Sequence, residues 1–191
     1  MRGDRVEIRL GGTGGQGLIL SAKMLADALA AGGKRVAQSQ TYEPTSRGGF
    51  CNADLVVSNA EVDFPLATAL DSLVLLDRLA VKPSWPLLKS GALVIADTRL
   101  CTELPEGDFR VHRLPLSRTA LRLGSERVTN IVALGALAAL NGICDRALLE
   151  QTVRAAAPRG FLDLNMDALN AGFAIQTQAD AGEDAAAQAG A

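Results

Sequence analysis

The residues best suited to chemistry sit in one short stretch, GGTGGQG at positions 11–17. Gly12-Thr13-Gly14-Gly15-Gln16-Gly17 fits G-x-G-x-x-G between an alternating apolar segment and a helical one. Glycines lack a Cβ, so such a backbone can approach a ligand closely. The free N–H groups and dipole of the following helix then favour an anion such as a phosphate. A tight strand-to-helix turn that only packs has the same spacing, and both uses stay open at this point.

Dinucleotide binding asks for more than the loop. An Asp or Glu about 20 residues on, at the end of the second strand, normally holds the ribose hydroxyls. Here that place reads Gln38-Ser39-Gln40-Thr41, without a carboxylate. Arg35 stands at the wrong end of the strand for a ribose phosphate, and Glu43 belongs to the next loop. P-loop chemistry has weaker support still, because no Gly-Lys-Ser/Thr follows.

A second loop, TYEPTSRGGF at 41–50, carries Tyr42 and Arg47-Gly48-Gly49. It should leave the sheet at the C-terminal strand ends, the edge where open α/β sheets bind ligands. Arg47 offers a planar cation suited to phosphate or carboxylate, or is a surface arginine beside a turn. Tyr42, the only tyrosine, could stack on a ring or anchor the loop. The chain has no G-x-S-x-G, no H-E-x-x-H, and no G-D-G followed by a double Asn. No catalytic residue and no metal ligand can be named, so a binding crevice without reacting groups suggests a subunit rather than a complete enzyme.

The elements needed to position these loops follow from periodicity. VEIRL (6–10) alternates as a first strand, and GLILSAKMLADALAAGG reads as an amphipathic helix closed by two glycines. Strands are expected at 35–39, 53–58, 73–76 and 92–96, with an edge-like one at 109–114. A helix closing near 85–90 is expected between the fourth and fifth. Helices are expected near 117–123, 126–141, 146–156 and 163–172. This alternation predicts a Rossmann-like open, mostly parallel α/β sheet with helices on both faces and a helical C-terminal part. One domain over 1–173 is expected. The remainder, 174–191, carries Asp180, Glu183 and Asp184 but no large apolar residue beyond Ile175 and no basic one, and reads as a disordered tail.

Composition narrows the class. The chain has 191 residues, 48% of them hydrophobic, which suits one domain with a real core. A net charge of −2 does not favour nucleic acid or an anionic membrane. The longest apolar run, IVALGALAAL at 131–140, is too short for a bilayer, which needs roughly 20 residues. It reads as a buried helix. No signal-peptide pattern begins the chain. Cys51, Cys101 and Cys144 are scattered without a C-x-x-C, which suits a reducing cytoplasm and gives no cluster or zinc site. The single histidine, His112, has no triad-like or metal-like neighbours and reads as structural.

Several stretches together resemble one family, the gamma subunit of 2-oxoacid:ferredoxin (acceptor) oxidoreductases of the 2-oxoglutarate/pyruvate type. GGTGGQGLILSAKMLADAL is similar to its opening G-x-G-G-Q-G and helix. TYEPTSRGGFCNADLVVS is similar to its Tyr-x-Pro-x-x-Arg-Gly-Gly loop and third strand. LVLLD (73–77) and LLKSGALVIADT resemble its fourth and fifth strands. RLGSERVTNIVALGAL (122–137) resembles its Gly-x-x-Arg-x-x-Asn helix, with Gly124, Arg127 and Asn130 in place, and FLDLNMDALNAGF its closing helix. The pieces run in order from Val6 to Phe173. One departure is Glu43-Pro44-Thr45 after the loop tyrosine, where many relatives have Gly then Pro-Glu.

The resemblance implies a helper subunit in a CoA-acylating oxidative decarboxylation of a 2-oxoacid, 2-oxoglutarate being the first expectation. Thiamine diphosphate, Mg²⁺ and iron–sulfur clusters are expected in thiamine-binding and ferredoxin-like partner subunits, and no cofactor on this chain alone. Coenzyme A, with its pyrophosphate and ribose phosphate, is the expected ligand. The implied contact set is Gly12, Gly14, Gly15, Gln16, Gly17, Tyr42, Arg47, Gly48, Gly49 and Asn130. Gln16 would orient the loop or donate a hydrogen bond, and Asn130 would serve the crevice or cap a helix. The rivals are a free-standing NAD(P)- or FAD-binding oxidoreductase and a ligand-free scaffold subunit.

Overall fold

A computed structural model describes the backbone of residues 5–43 and 48–189, with side chains up to residue 175. Six strands form one sheet: β1 Val6–Thr13, β2 Arg35–Tyr42, β3 Phe50–Ser58, β4 Leu70–Leu75, β5 Leu88–Asp97 and β6 Arg110–Leu114. Their order across the sheet is β2-β3-β1-β4-β5-β6. The pairs β1–β4, β4–β5 and β5–β6 are parallel, as the alternation of strands and helices predicts. The exception is β3, which runs antiparallel to both β1 and β2. The connection between β2 and β3 is a hairpin loop, and a hairpin must reverse the chain.

The two faces are covered unequally. One face carries α1 (Leu18–Ala31), α3 (Leu116–Arg122), α4 (Thr129–Asn141), α5 (Arg146–Ala156) and α6 (Leu162–Ala189), packed around the larger core. The other carries parts of the β5–β6 connection such as Cys101 and Phe109, together with the short segment after β4. That segment is a 3₁₀ turn at Arg78–Ala80, α2 (Val81–Ser84) and a second 3₁₀ turn at Trp85–Leu87, so the helix expected to close near 85–90 ends earlier. A smaller core lies there, with Trp85 edge-on to Phe109 at 5.2 Å between centroids.

Local sequence explains the main helices. In α1, Leu18, Ala22, Leu25 and Leu29 recur at helical spacing and all are buried. The helix ends where Gly33 turns to φ +86 and Lys34 N–H donates back to the Leu29 carbonyl at 3.0 Å. The run at 131–140 forms α4, buried nearly all round. Gly135 of α4 meets Gly172 of α6 backbone against backbone, because a Cβ on Gly172 would overlap the Val132 carbonyl oxygen. Asp145 caps α5 by accepting from Ala147 N–H at 2.8 Å. The tail expected over 174–191 falls mostly on side chains outside the described residues, and the backbone of α6 is helical to Ala189. No described helix is long and apolar enough to cross a membrane.

At the N-terminal strand ends, Glu7 anchors the segment that precedes β4. Its carboxylate accepts from Thr68 N–H and Ala69 N–H and pairs with Arg5 at 2.7 Å. Burial alone would raise its pKa, but those N–H groups and the guanidinium outweigh it and hold the carboxyl below its usual 4.5. A depressed folded pKa stabilises the fold above the unfolded value, and that contribution disappears as pH falls through the folded one. Glu7→Gln should therefore lower the denaturation midpoint at pH 7, and the gap from wild type should close as pH drops below about 4. A gap that is constant with pH would show that Glu7 carries no net charge effect.

Candidate functional site

The glycine loop is built where β1 leaves the sheet. β1 does not stop at Leu10 but continues through Gly11 and Gly12, which pair with Asn52 and Cys51 of β3. A Cβ on Gly11 would lie 2.8 Å from the Ala80 Cβ, so the covering segment needs glycine there. Gly15 and Gly17 take φ of +97 and +74, values that L side chains rarely adopt. Gly17 then serves as the N-cap of α1. No side chain caps that helix and no acid lies in its first turn. Its first amides are thus presented at the positive end of the helix dipole.

Gln16 is the clasp of the loop. Its Oε1 accepts from Thr13 N–H at 2.8 Å, and its Nε2 donates to the Leu76 carbonyl at the end of β4 at 3.1 Å. A Cβ on Gly12 would overlap that Oε1, so Gly12 makes room for the clasp. Gln16 therefore ties Thr13 to the Leu76 carbonyl through its own side chain. Beside it, Gly14 N–H donates to the Gly49 carbonyl at 3.0 Å, tying the first loop to the second. Glu43 N–H donates to the Phe50 carbonyl at 3.0 Å and closes the hairpin that carries Gly48 and Gly49. Arg47 lies outside the described residues, between Glu43 and Gly48. Tyr42 is 63% exposed and sits in one row with Cys51 and Gly12.

Asn130 reaches the loop from far away in sequence. It lies in the first turn of α4, only 5% exposed, and its Nδ2 donates to the Gly17 carbonyl at 3.1 Å. It does not cap α4, whose N-cap is Val128 without a side-chain bond. Its Oδ1 is buried without a hydrogen-bond partner. A Cβ on Gly17 would lie against this amide, so Gly17 and Asn130 are fitted to each other.

An open cavity of about 500 Å³ lies over the start of α1, lined among others by Thr13, Gly15, Gly17, Leu18, Lys23 and Cys51. Its walls are mainly apolar. Lys23, its one cation among the described residues, pairs with Asp27 at 2.8 Å. Sequence periodicity offered no signal for Cys51 or Lys23, because both read as ordinary strand and helix positions. Burial pushes the Cys51 thiol pKa upward, so it is a poor nucleophile. A smaller cavity of about 260 Å³ at the opposite end of the strands is lined by Arg5, Glu7 and Lys89. Its charges are already paired with one another or with Asp71.

Strand order bears on the dinucleotide reading. A dinucleotide crevice places the second strand directly beside the first, so that its terminal acid reaches the ribose. Here β3 lies between β1 and β2. The glycine loop's neighbour is the hairpin loop instead.

Fold and site together define an α/β subunit-type domain, with a glycine loop clasped at the head of α1 and a second glycine loop tied over it. Residues 7–175 match the family described as pyruvate ferredoxin/flavodoxin oxidoreductase, and the chain belongs to that family as the gamma subunit of a 2-oxoacid:ferredoxin oxidoreductase. It is 34% identical over 175 residues to the 2-oxoglutarate synthase subunit KorC of Methanocaldococcus jannaschii, covering 90% of this chain and 94% of that one. A solved keto/oxoacid ferredoxin oxidoreductase gamma subunit from Geobacter sulfurreducens PCA superposes with a TM-score of 0.82 at 38% identity. That superposition covers 90% of this chain and 95% of the other. A 2-oxoglutarate:ferredoxin oxidoreductase from Magnetococcus marinus, with 2-oxoglutarate, coenzyme A and succinyl-CoA bound, also gives a TM-score of 0.82. It covers 92% of this chain and 31% of that one at 24% identity, and so shares the fold.

Proposed function

We propose that this gamma subunit serves a cytoplasmic complex that oxidatively decarboxylates 2-oxoglutarate to succinyl-CoA and CO₂, and that its glycine loops hold the phosphates of coenzyme A. The observation that carries the reading is the uncapped start of α1 behind Gly14–Gly17, open to a cavity and tied to Gly49 of the second glycine loop through the Gly14–Gly49 hydrogen bond. The substrate is supported by the relatives named for 2-oxoglutarate and by the ligands of the Magnetococcus complex.

The keto-carbon chemistry is supplied by thiamine diphosphate with Mg²⁺, and the electron relay by iron–sulfur clusters, all in partner subunits. This chain contributes no reacting group. The amides of Gly15, Gly17 and the first turn of α1 face the anion, while Gln16 N–H is held by the Thr13 carbonyl at 3.2 Å, and the Arg47 guanidinium adds a charge-assisted contact. Gln16 and Asn130 hold the backbone that presents those amides. The apolar cavity wall suits the uncharged arm of the same molecule.

Arg47→Ala in the complete complex should raise the apparent KM for coenzyme A by about tenfold to a hundredfold, the worth of one charged hydrogen bond. The KM for 2-oxoglutarate should stay put. An unchanged coenzyme A KM in a normally assembled complex would sink the assignment of Arg47.

A further inference from the structure

The two edges of the sheet are protected very differently. β6 spans five residues and carries Arg110 and Arg113, the kind of charged, short edge that resists pairing. β2 spans eight residues, Arg35–Tyr42, in unbroken register with β3, without a proline, a bulge or a charge between its ends. Glu43 N–H bonds the Phe50 carbonyl on the β3 side, so by alternation Val36, Gln38, Gln40 and Tyr42 turn their N–H and C=O groups outward. A row of free backbone groups on a flat strand is a template for another strand.

The sequence of this strand says which one. From Arg35 to Glu43 it reads R-V-A-Q-S-Q-T-Y-E, and it is self-complementary about Ser39. Set antiparallel against a second copy with Ser39 on the two-fold axis, Arg35 faces Glu43, Val36 faces Tyr42, Ala37 faces Thr41, and Gln38 faces Gln40. Each contact occurs twice. The pairs are an ion pair, a β-branched residue on an aromatic ring, two small residues and two amides, all favourable cross-strand partners. Arg35 has no acidic partner among the described residues, and Tyr42 leaves most of its ring in solvent within the single chain. We infer that β2 pairs with β2 of a second copy of this chain, joining two six-stranded sheets into one continuous sheet across a two-fold axis. Tyr42 is then a contact between subunits rather than a ring platform for a ligand.

The charge pair makes the test specific. The purified full chain should sediment as a dimer. Arg35→Glu or Glu43→Arg alone sets like charges opposite each other twice and should raise the dimer dissociation constant about tenfold. The double variant R35E/E43R should restore it. Register is read by cross-linking in a Cys144→Ser background. Ser39→Cys should oxidise to a disulfide-linked dimer, because a directly opposite pair lies within disulfide reach. Ala37→Cys should not link to itself but should link to Thr41→Cys when the two are mixed. A chain that stays monomeric at high micromolar concentration overturns the inference. So does a dimer indifferent to the single reversals, or one that cross-links Ala37→Cys to itself.

Discussion

Replacing Arg9 by Met should lower the stability of the folded chain by about 3–5 kcal/mol, the loss expected when one member of a buried ion pair is removed. Arg9 of β1 and Asp54 of β3 face each other in register and meet in a two-pronged contact, Nε to Oδ1 and the terminal nitrogen to Oδ2, both at 2.7 Å. Their side chains are 9% and 8% exposed. Asn52 donates to the same carboxylate at 2.8 Å. With the guanidinium gone, Asp54 is left as a buried anion with one amide donor. R9M/D54L should recover most of the loss, because an apolar pair of similar volume removes the stranded charge. Urea unfolding of the three chains measures both steps. A single variant that loses less than about 1 kcal/mol would mean that Asp54 is wet rather than buried.

Gly172→Ala should also destabilise, although helix propensity alone argues the reverse. Alanine is better than glycine inside a helix by about 1 kcal/mol. At this crossing, however, the added Cβ would overlap the Val132 carbonyl oxygen and stand 2.9 Å from Ala136 N and 3.0 Å from Gly135 Cα. These are backbone atoms and cannot rotate aside, so α4 and α6 must separate. Overpacking of this kind costs about 1–3 kcal/mol, and the rigid neighbours put it at the upper end. The net expectation is a loss of about 2 kcal/mol, or several degrees in Tm. A variant more stable than wild type would show that the two helices do not touch at this point.

The same residues show what could be learned from sequence. α1, α4 and α5 were legible because their apolar spacing and end signals are local. So were the loops, because glycines punctuate the chain. The partners were not. Glu7 and Arg9 alternate with Val6, Ile8 and Leu10, a pattern that reads as a wet face. Both are buried, since Asp54 and the segment around Thr68 arrive from 45 and 61 residues away. The hairpin reversal of β3 was implicit in the short loop at 43–49, yet alternating strands and helices point to parallel neighbours. Asn130 was singled out by its motif, but its bond to Gly17 spans 113 residues and belongs to the packed fold alone.

The Gln16 clasp has a consequence for how anything is received at this site. Its amide spans the ends of β1 and β4 within the chain itself, so the loop holds its shape in the resting subunit. Under the proposed function an incoming anion would meet a cradle already set, and its capture would not carry the entropy of freezing a floppy segment. Its arrival would alter the charge within the cradle and leave the contour as it was.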